Sequence, residues 1–364
     1  GAEGINISGI CCTANEILMR HGIPVAGNFL QQELAVMTGA VDVMLVDVQC
    51  IMPALSSLCS CFHTKLITTS PKCRIAGAEH IEFSEEKAVM TAEKIITAAV
   101  DNFANRKRDV YIPDVKEMGV AGCTPENITY SLGGRYRSGL QPLNDAIISG
   151  RLRGAAGVVG CNNPKQVHDS CHIAMIKELI KNNVLVVSTG CSAIAAGKAG
   201  LLRPEAADEY CGDGLREICH TVGIPPVLHV GSCVDNSRIL TTLAAVAAQG
   251  GLGEDIADLP VAGAAPEWMS EKAVSIGMYF VASGVYTVIG EPLPVQGSKA
   301  LTEYLTDSME QDYGGKWAFE RDPVKAAGLM IAHIDKKREK LGINGPQQRK
   351  LYDMDSRRSM DVGC

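Results

Sequence analysis

Five apolar, strand-like runs in this chain close on a cysteine, and that repetition limits the fold more than any other feature. They are Ile5–Cys12 (INISGICC), Val41–Cys50 (VDVMLVDVQC), Gly157–Cys161 (GVVGC), Val184–Cys191 (VLVVSTGC) and Val227–Cys233 (VLHVGSC). Four of the five lead straight into residues suited to a helix start or a turn. Strands alternating with helices at this spacing predict βαβ units with right-handed crossovers. In an open parallel sheet the carboxyl ends of the strands line the ligand crevice, so the five thiols are expected to meet there as a metal cage.

The expected class is α/β, with two Rossmann-like domains whose mainly parallel sheets are flanked by helices. At 364 residues the chain is long for a single core. The charged turn Asn105–Asp109 (NRKRD) is the best boundary. It assigns residues 1–105 to one domain, 106–346 to the second, and 347–364 to a polar tail.

Taken in order, residues 5–11 read as a short buried strand, Asn15–Arg20 opens a helix, and Phe29–Met37 forms another that stops at Gly39. Val41–Val48 has the apolar, β-branched character of a strand covered on both faces, and Leu66–Thr69 is a further strand. Ser84 is the expected N-cap of a helix reaching about Asn102. After the boundary, Val110–Ile112 reads as a strand or edge segment, and a Gly-rich region contains Gly133–Arg137. Helices are then expected over Lys165–Lys181, Ala193–Lys198, Gly214–His220 and Ser237–Ala248, each beside one of the cysteine-ending strands. Leu259–Ala262 and Val285–Ile289 are strands preceding helices Met269–Ala282 and Ser298–Leu305. A final amphipathic helix, Pro323–Leu341, carries a basic run from Lys336 to Lys340 that complements the helix dipole.

Net charge of −7 argues against a nucleic-acid or membrane-surface partner. No apolar run approaches the ~18–20 residues that span a bilayer, and no signal peptide is recognisable. Fourteen cysteines without an export signal imply a reducing cytoplasm and thiols kept for metals or redox chemistry. One strand-end cysteine alone reads as a small buried hydrophobe, but five in the same topological position do not. Cys171, Cys211 and Cys219 read as core fillers. Structural zinc draws close C-x₂₋₄-C pairs, whereas these cysteines lie tens of residues apart. Soft thiolates select iron–sulfur and nickel centres instead. No G-x-G-x-x-G occupies a strand-to-helix turn, so a dinucleotide site is discounted. His168 and His172, one helical turn apart in the expected helix, read as solvated or capping residues.

The words around the cysteines carry a resemblance. GICCTANEILMRHGIPVAGNFLQQELAVMTGAVDVMLVDVQCIMP resembles the middle of the nickel-dependent, anaerobic carbon monoxide dehydrogenase catalytic subunit. GVVGCNNPK, LVVSTGCSAIAAGKAGL, GIPPVLHVGSCVDNSR and PEWMSEKAVSIG match that family's later motifs in the same order, and the likeness runs from about Gly4 to Ile343. The resemblance implies a Ni-4Fe-4S cluster that interconverts CO plus water with CO₂, two protons and two electrons. It places cluster ligands at Cys12, Cys50, Cys161, Cys191 and Cys233. Cys233 would hold nickel, Cys50, Cys161 and Cys191 the cubane irons, and Cys12 the outlying iron. Lys272 matches the family's active-site lysine, and Ile276, one turn on, would line the gas pocket. Cys11 is a candidate alternative ligand.

The family's histidine ligand and its amino-terminal domain with further 4Fe-4S clusters have no counterpart in these residues. The chain is therefore expected to be the carboxyl-terminal part of a longer subunit. The implied partners are a ferredoxin-like electron carrier and a second copy in a homodimer, with room for an acetyl-CoA synthase subunit. The competing readings are a prismane-type hybrid-cluster reductase and a catalytically incomplete structural fragment.

Overall fold

The computed structural model describes residues 3–47, 49–107, 109–133 and 139–344. Most of the predicted Gly-rich stretch, Val48 and the 347–364 tail lie outside the described residues.

Among the described residues the strands form three sheets, all parallel. A small pair joins β1 (Gly9–Ile10) to β2 (Val25–Gly27). Three strands, β3 (Val43–Val46), β4 (Lys65–Thr68) and β5 (Glu79–His80), follow in sequential order. The main sheet holds β6 (Gly154–Val158), β7 (Val184–Thr189), β8 (Val227–Gly231), β9 (Val261–Ala265), β10 (Tyr286–Ile289) and β11 (Trp317–Phe319). Its order is β11-β10-β9-β6-β7-β8. The chain steps outward from β6 to β8, then returns to the other side of β6 for β9 to β11. That reversal is the switch point beside which ligands of open α/β sheets bind, at the carboxyl ends of the strands.

The main sheet is covered on both faces, as its apolar strands require. Every residue of β8 and β10 is buried. On one face, helices Ser170–Lys181 and Pro323–Lys340 pack together, burying Ile176, Leu179, Met330 and Ile334 in the largest core cluster. On the other, Ile239 of helix Asn236–Gln249 and Phe280 of helix Glu271–Ala282 pack with Val230 and Val285. A Cβ on Gly277 would lie 2.2 Å from the Trp317 ring, so glycine is what lets that helix approach β11.

Several expectations are corrected. The strand predicted over residues 5–11 shrinks to two residues: Ile5 and Ile7 are exposed, and helix Cys11–His21 begins at the cysteine rather than at Asn15. Among the described residues the three-stranded sheet is not covered on both faces, since Leu45 is half exposed. Among the described residues Val110–Ile112 pairs with no strand, and all three residues are exposed. β9 begins two residues later than predicted. The helix after β6 begins at Ser170, not Lys165, so His168 precedes it. His172 is fully buried rather than solvated, and its Nε2 lies 2.7 Å from the Cys161 carbonyl oxygen.

The basic run does more than complement a dipole. Arg338 is buried and donates to the carbonyls of Ile147, Arg153 and Ile343 at 2.7, 3.1 and 2.8 Å. It ties the last helix to the loop before β6.

Candidate metal centre

Strand-to-helix turns bring the thiols together. Cys161 lies three residues past β6, Cys191 is the second residue of helix Gly190–Lys198 after β7, and Cys233 opens the short 3₁₀ turn Cys233–Asp235 after β8. These three strands are neighbours in the main sheet. Gly190 has φ +61°, and a Cβ there would come within 2.5 Å of the Cys233 sulfur. Only glycine permits that closeness.

Cys11, Cys12 and Cys50 face them from the amino-terminal segment. Their sulfurs all lie within 4.8 Å of one another, and the Cys11 sulfur is 3.7 Å from that of Cys191. In a strand, consecutive side chains would diverge. Here Cys11 has φ 56° and starts a helix, which turns both Cys11 and Cys12 inward. Cys50 has φ 53°, also left-handed. Side chains rarely adopt that region without compensation from their surroundings, and such residues cluster at functional sites.

Polar contacts hold the turns. Gln32 Nε2 donates to the Cys50 carbonyl at 2.6 Å. The Phe29 backbone N–H donates to the Cys191 sulfur at 3.4 Å. Asn15 Nδ2 donates to the carbonyls of Cys11 and Gly190 at 2.8 and 3.2 Å. Behind Cys161, buried Glu267 accepts from Asn162 Nδ2 at 2.9 Å and from the Cys171 N–H at 3.0 Å.

Lys272 lies in the first turn of helix Glu271–Ala282, as predicted, and its ammonium enters the thiol group. It donates to Cys50 Sγ at 3.3 Å, to Cys12 Sγ at 3.7 Å and to Gln49 Oε1 at 3.3 Å. Burial works against this ammonium, but the thiols of Cys233, Cys12 and Cys50 outweigh it and push its pKa up. Hydrogen bonds from Cys11, Cys233 and Cys50 hold the Cys12 thiol far below its ordinary value. The reciprocal contacts, first with Cys12, push Cys11 and Cys233 up, and contact with Cys11 does the same to Cys50. Crowded thiols cannot all ionise without added positive charge nearby. Lys272 supplies one such charge, and soft metal ions fit the remaining donor set.

Ile276 shares the Lys272 face of the helix. Both line an apolar cavity of ≈ 40 Å³ that touches Cys161 and Cys233 and ends against Phe280 and Ile289. Gly157 and Gly263, on the two strands flanking the switch point, also line it.

Five of the six sequence-selected cysteines, Cys11, Cys12, Cys50, Cys191 and Cys233, cluster together, with Lys272 against Cys12 and Cys50. Cys161 stands further out, its sulfur 3.7 Å from the Ser270 hydroxyl. Among the described residues no histidine or carboxylate joins the sulfur group. His63 pairs with Asp42 and His80 with Thr68, away from it. Sequence reasoning missed Asn15, Gln32 and Gln49. Of these only Asn15 carried a signal, one helical turn from Cys11 in the run CCTAN.

Residues 1–324 match the Prismane/CO dehydrogenase family. Carbon monoxide dehydrogenase 1 of Methanosarcina mazei is 58% identical over 345 residues, covering 94% of this chain and 54% of its own length. The solved carbon monoxide dehydrogenase IV of Carboxydothermus hydrogenoformans is 50% identical with a TM-score of 0.90, over 94% of this chain and 55% of that one. A solved acetyl-CoA synthase/carbon monoxide dehydrogenase, described with NiZn[Fe4S4] and NiNi[Fe4S4] clusters in its alpha subunits, is 45% identical. Its TM-score is 0.91, over 94% of this chain and 52% of that one. The chain spans about half the length of the curated relatives it matches. It belongs to the Prismane/CO dehydrogenase family.

Proposed function

We propose that this chain supplies most of the active centre of an anaerobic carbon monoxide dehydrogenase, interconverting CO and water with CO₂, two protons and two electrons. The observation that carries this reading is one cluster of Cys11, Cys12, Cys50, Cys191 and Cys233 with the Lys272 ammonium 3.3 Å from Cys50 Sγ, beside an apolar cavity that Cys161 and Cys233 line at the switch point. Cys12, Cys50, Cys161, Cys191 and Cys233 are the proposed holders of a Ni-4Fe-4S cluster, with Cys11 as an alternative. Such a cluster, when bound, would supply nickel for the carbon of CO or CO₂ and a Lewis-acidic iron for water.

The chain's own residues divide the remaining work. Lys272 keeps its proton among the thiols, so a fixed positive charge awaits the carboxylate oxygens that develop during the reaction. Ile276 and the cavity walls admit a small apolar gas and exclude bulk water from the thiols. The amino-terminal sheet, β3 to β5, lies before residue 105 and the main sheet after residue 153, which supports two Rossmann-like domains divided near that turn. A ferredoxin-like electron acceptor and a homodimer complete the proposal, and the related acetyl-CoA synthase/carbon monoxide dehydrogenase supports docking of an acetyl-CoA synthase subunit. Among the described residues no helix is long and apolar enough to cross a membrane. The names of the relatives favour this chemistry over a hybrid-cluster reductase.

The test is anaerobic purification of the full-length protein, metal and sulfide analysis, and CO-dependent reduction of a viologen dye. Nickel, iron and sulfide with CO-dependent dye reduction are expected. Iron without nickel, together with hydroxylamine reduction, would replace this reading by the hybrid-cluster one. Absence of iron and sulfide would leave a structural role.

A further inference from the structure

The thiol cage is assembled from turns far apart in sequence, and two of those turns meet at one side chain. Asn15 is fully buried. Its amide nitrogen donates to the carbonyl of Cys11 at 2.8 Å and to that of Gly190, the residue before Cys191, at 3.2 Å. Its amide oxygen faces His229 Nε2 at 2.6 Å, and His229 is itself buried in the middle of β8, the strand that leads to Cys233. Both turns that Asn15 grips have left-handed backbone, φ 56° at Cys11 and φ +61° at Gly190. Left-handed backbone is unfavourable for a cysteine and persists only where neighbours over-determine it.

The direction of the amide follows from its partners. Two carbonyl oxygens require the NH₂ group on their side, which leaves the amide oxygen toward His229, so His229 must present Nε2–H. Burial keeps this imidazole neutral, with its pKa pushed down to about 4. Rotating the amide would set its oxygen against two carbonyl oxygens in a buried space. His229 therefore fixes Asn15, and Asn15 fixes the two turns.

We propose that Asn15 and His229 are positioning residues that clamp the Cys11–Cys12 turn to the Cys191 turn and so set the thiol spacing into which the metal centre is built. The inference rests on the reading that the cage holds a metal cluster, yet its geometric part concerns the thiols alone. Neither residue touches the reacting atoms. Asn15→Leu keeps the branching and the number of side-chain heavy atoms and removes all three hydrogen bonds. His229→Gln can return a donor near the position of Nε2, and His229→Leu cannot.

The experiment uses the full-length protein and reads three quantities. The first is iron and nickel per chain after anaerobic purification and a chelator challenge. The second is the electron paramagnetic resonance spectrum of the reduced centre. The third is the rate at which iodoacetamide labels Cys11, Cys12 and Cys191 in metal-stripped protein, followed by peptide mass spectrometry. Asn15→Leu and His229→Leu are expected to lose metal about 10–100-fold more readily, to broaden the spectrum, and to label these thiols faster. His229→Gln is expected to restore all three toward wild type. Wild-type metal retention, spectrum and labelling in a folded Asn15→Leu protein would overturn the clamp. If Asn15→Leu does not fold, equal behaviour of His229→Gln and His229→Leu would overturn it. A wild-type protein without iron or nickel would sink the metal reading instead, and the labelling rates would still decide the clamp.

Discussion

The amino-terminal part of the chain, residues 9–103, and the six-stranded part, residues 154–340, bring thiols to the same centre by different physical means. In the second part, Cys161, Cys191 and Cys233 follow three adjacent parallel strands. Ladder spacing of about 4.8 Å and a core packed on both faces place those turns. In the first part, Cys11, Cys12 and Cys50 stand on left-handed or helix-opening backbone, and side-chain hydrogen bonds hold them there. The same contrast runs through the packing. Helix Ala88–Phe103 buries Thr91 and Asn102, whose amide ties Asp42 and His63, while Val89, Ile96, Val100 and Phe103 are exposed. A sheet supplies rigid positions cheaply, whereas loops need dedicated polar contacts to reach the same precision.

The largest expected effect separates thiols by role. Cys233→Ala removes a sheet-borne sulfur that Cys12 contacts closely, and nickel should vanish from the full-length protein with most CO-dependent dye reduction. Cys11→Ala should retain most of its iron, because Cys11 lies outside the five proposed principal ligands. Equal metal loss in the two variants would erase the distinction between them.

Next comes the charge between the two parts. Lys272→Ala removes the ammonium 3.3 Å from Cys50 Sγ. Turnover should fall about 10²–10³-fold, the usual consequence of losing a preorganised charge at a developing oxyanion. Iron and nickel contents should stay at wild-type levels. Loss of nickel in this variant would make Lys272 a holder of the cage and not a partner of the reaction.

A smaller effect tests the six-stranded core through pH. His333 is buried in the last helix, stacked on Tyr286 with ring centroids 4.6 Å apart. Burial, then Lys337, pushes its pKa down to about 4 from 6.5, while Glu310 acts the other way and Lys336 and Lys316 add to the depression. Between those values the unfolded chain takes up the proton and the folded one does not. Stability is therefore full above about pH 6.5 and declines as pH falls toward 4, by on the order of 3 kcal/mol in all. His333→Phe keeps the stacking surface and should flatten that part of the urea-unfolding profile. An unchanged slope between pH 6.5 and 4.5 would show that other groups set the acid limit.

The contrast also explains what the sequence could reveal. β7 and β8 were legible because VLVVST and VLHVG are apolar, β-rich runs buried throughout or nearly so. β9 was misplaced because LPVAGAA offers alanine and glycine, which carry little strand preference. β2, β5 and β11, of two or three residues each, were too short to show a period. Helices Pro125–Leu132 and Gln141–Ile148 went unread although Thr124 caps the first. The cysteines were legible by position and by the family's words. Their supports were not, beyond Asn15's place one turn after Cys11, because Asn15 meets Gly190 and His229 across 175 and 214 residues of chain. Nothing local marks the left-handed backbone at Cys11 and Cys50.

The smallest expected effect pits one support from each part against the other. Gln32 is buried in the amino-terminal part, and its amide is 2.6 Å from the carbonyl of Cys50, whose φ is 53°. Gln32→Ala would leave that carbonyl without its donor and free the turn to relax toward ordinary backbone, at a cost of about 1–3 kcal/mol. Ser270, on the other side, lies 3.7 Å from the Cys161 sulfur and makes no side-chain cap bond to its helix. If sheet geometry alone places Cys161, Ser270→Ala should hold iron within about twofold of wild type in a chelator competition. Gln32→Ala should release it roughly tenfold more readily. The reverse ranking would mean that Cys161, like the Cys191 turn that Asn15 grips, depends on a side-chain tether and not on the sheet alone.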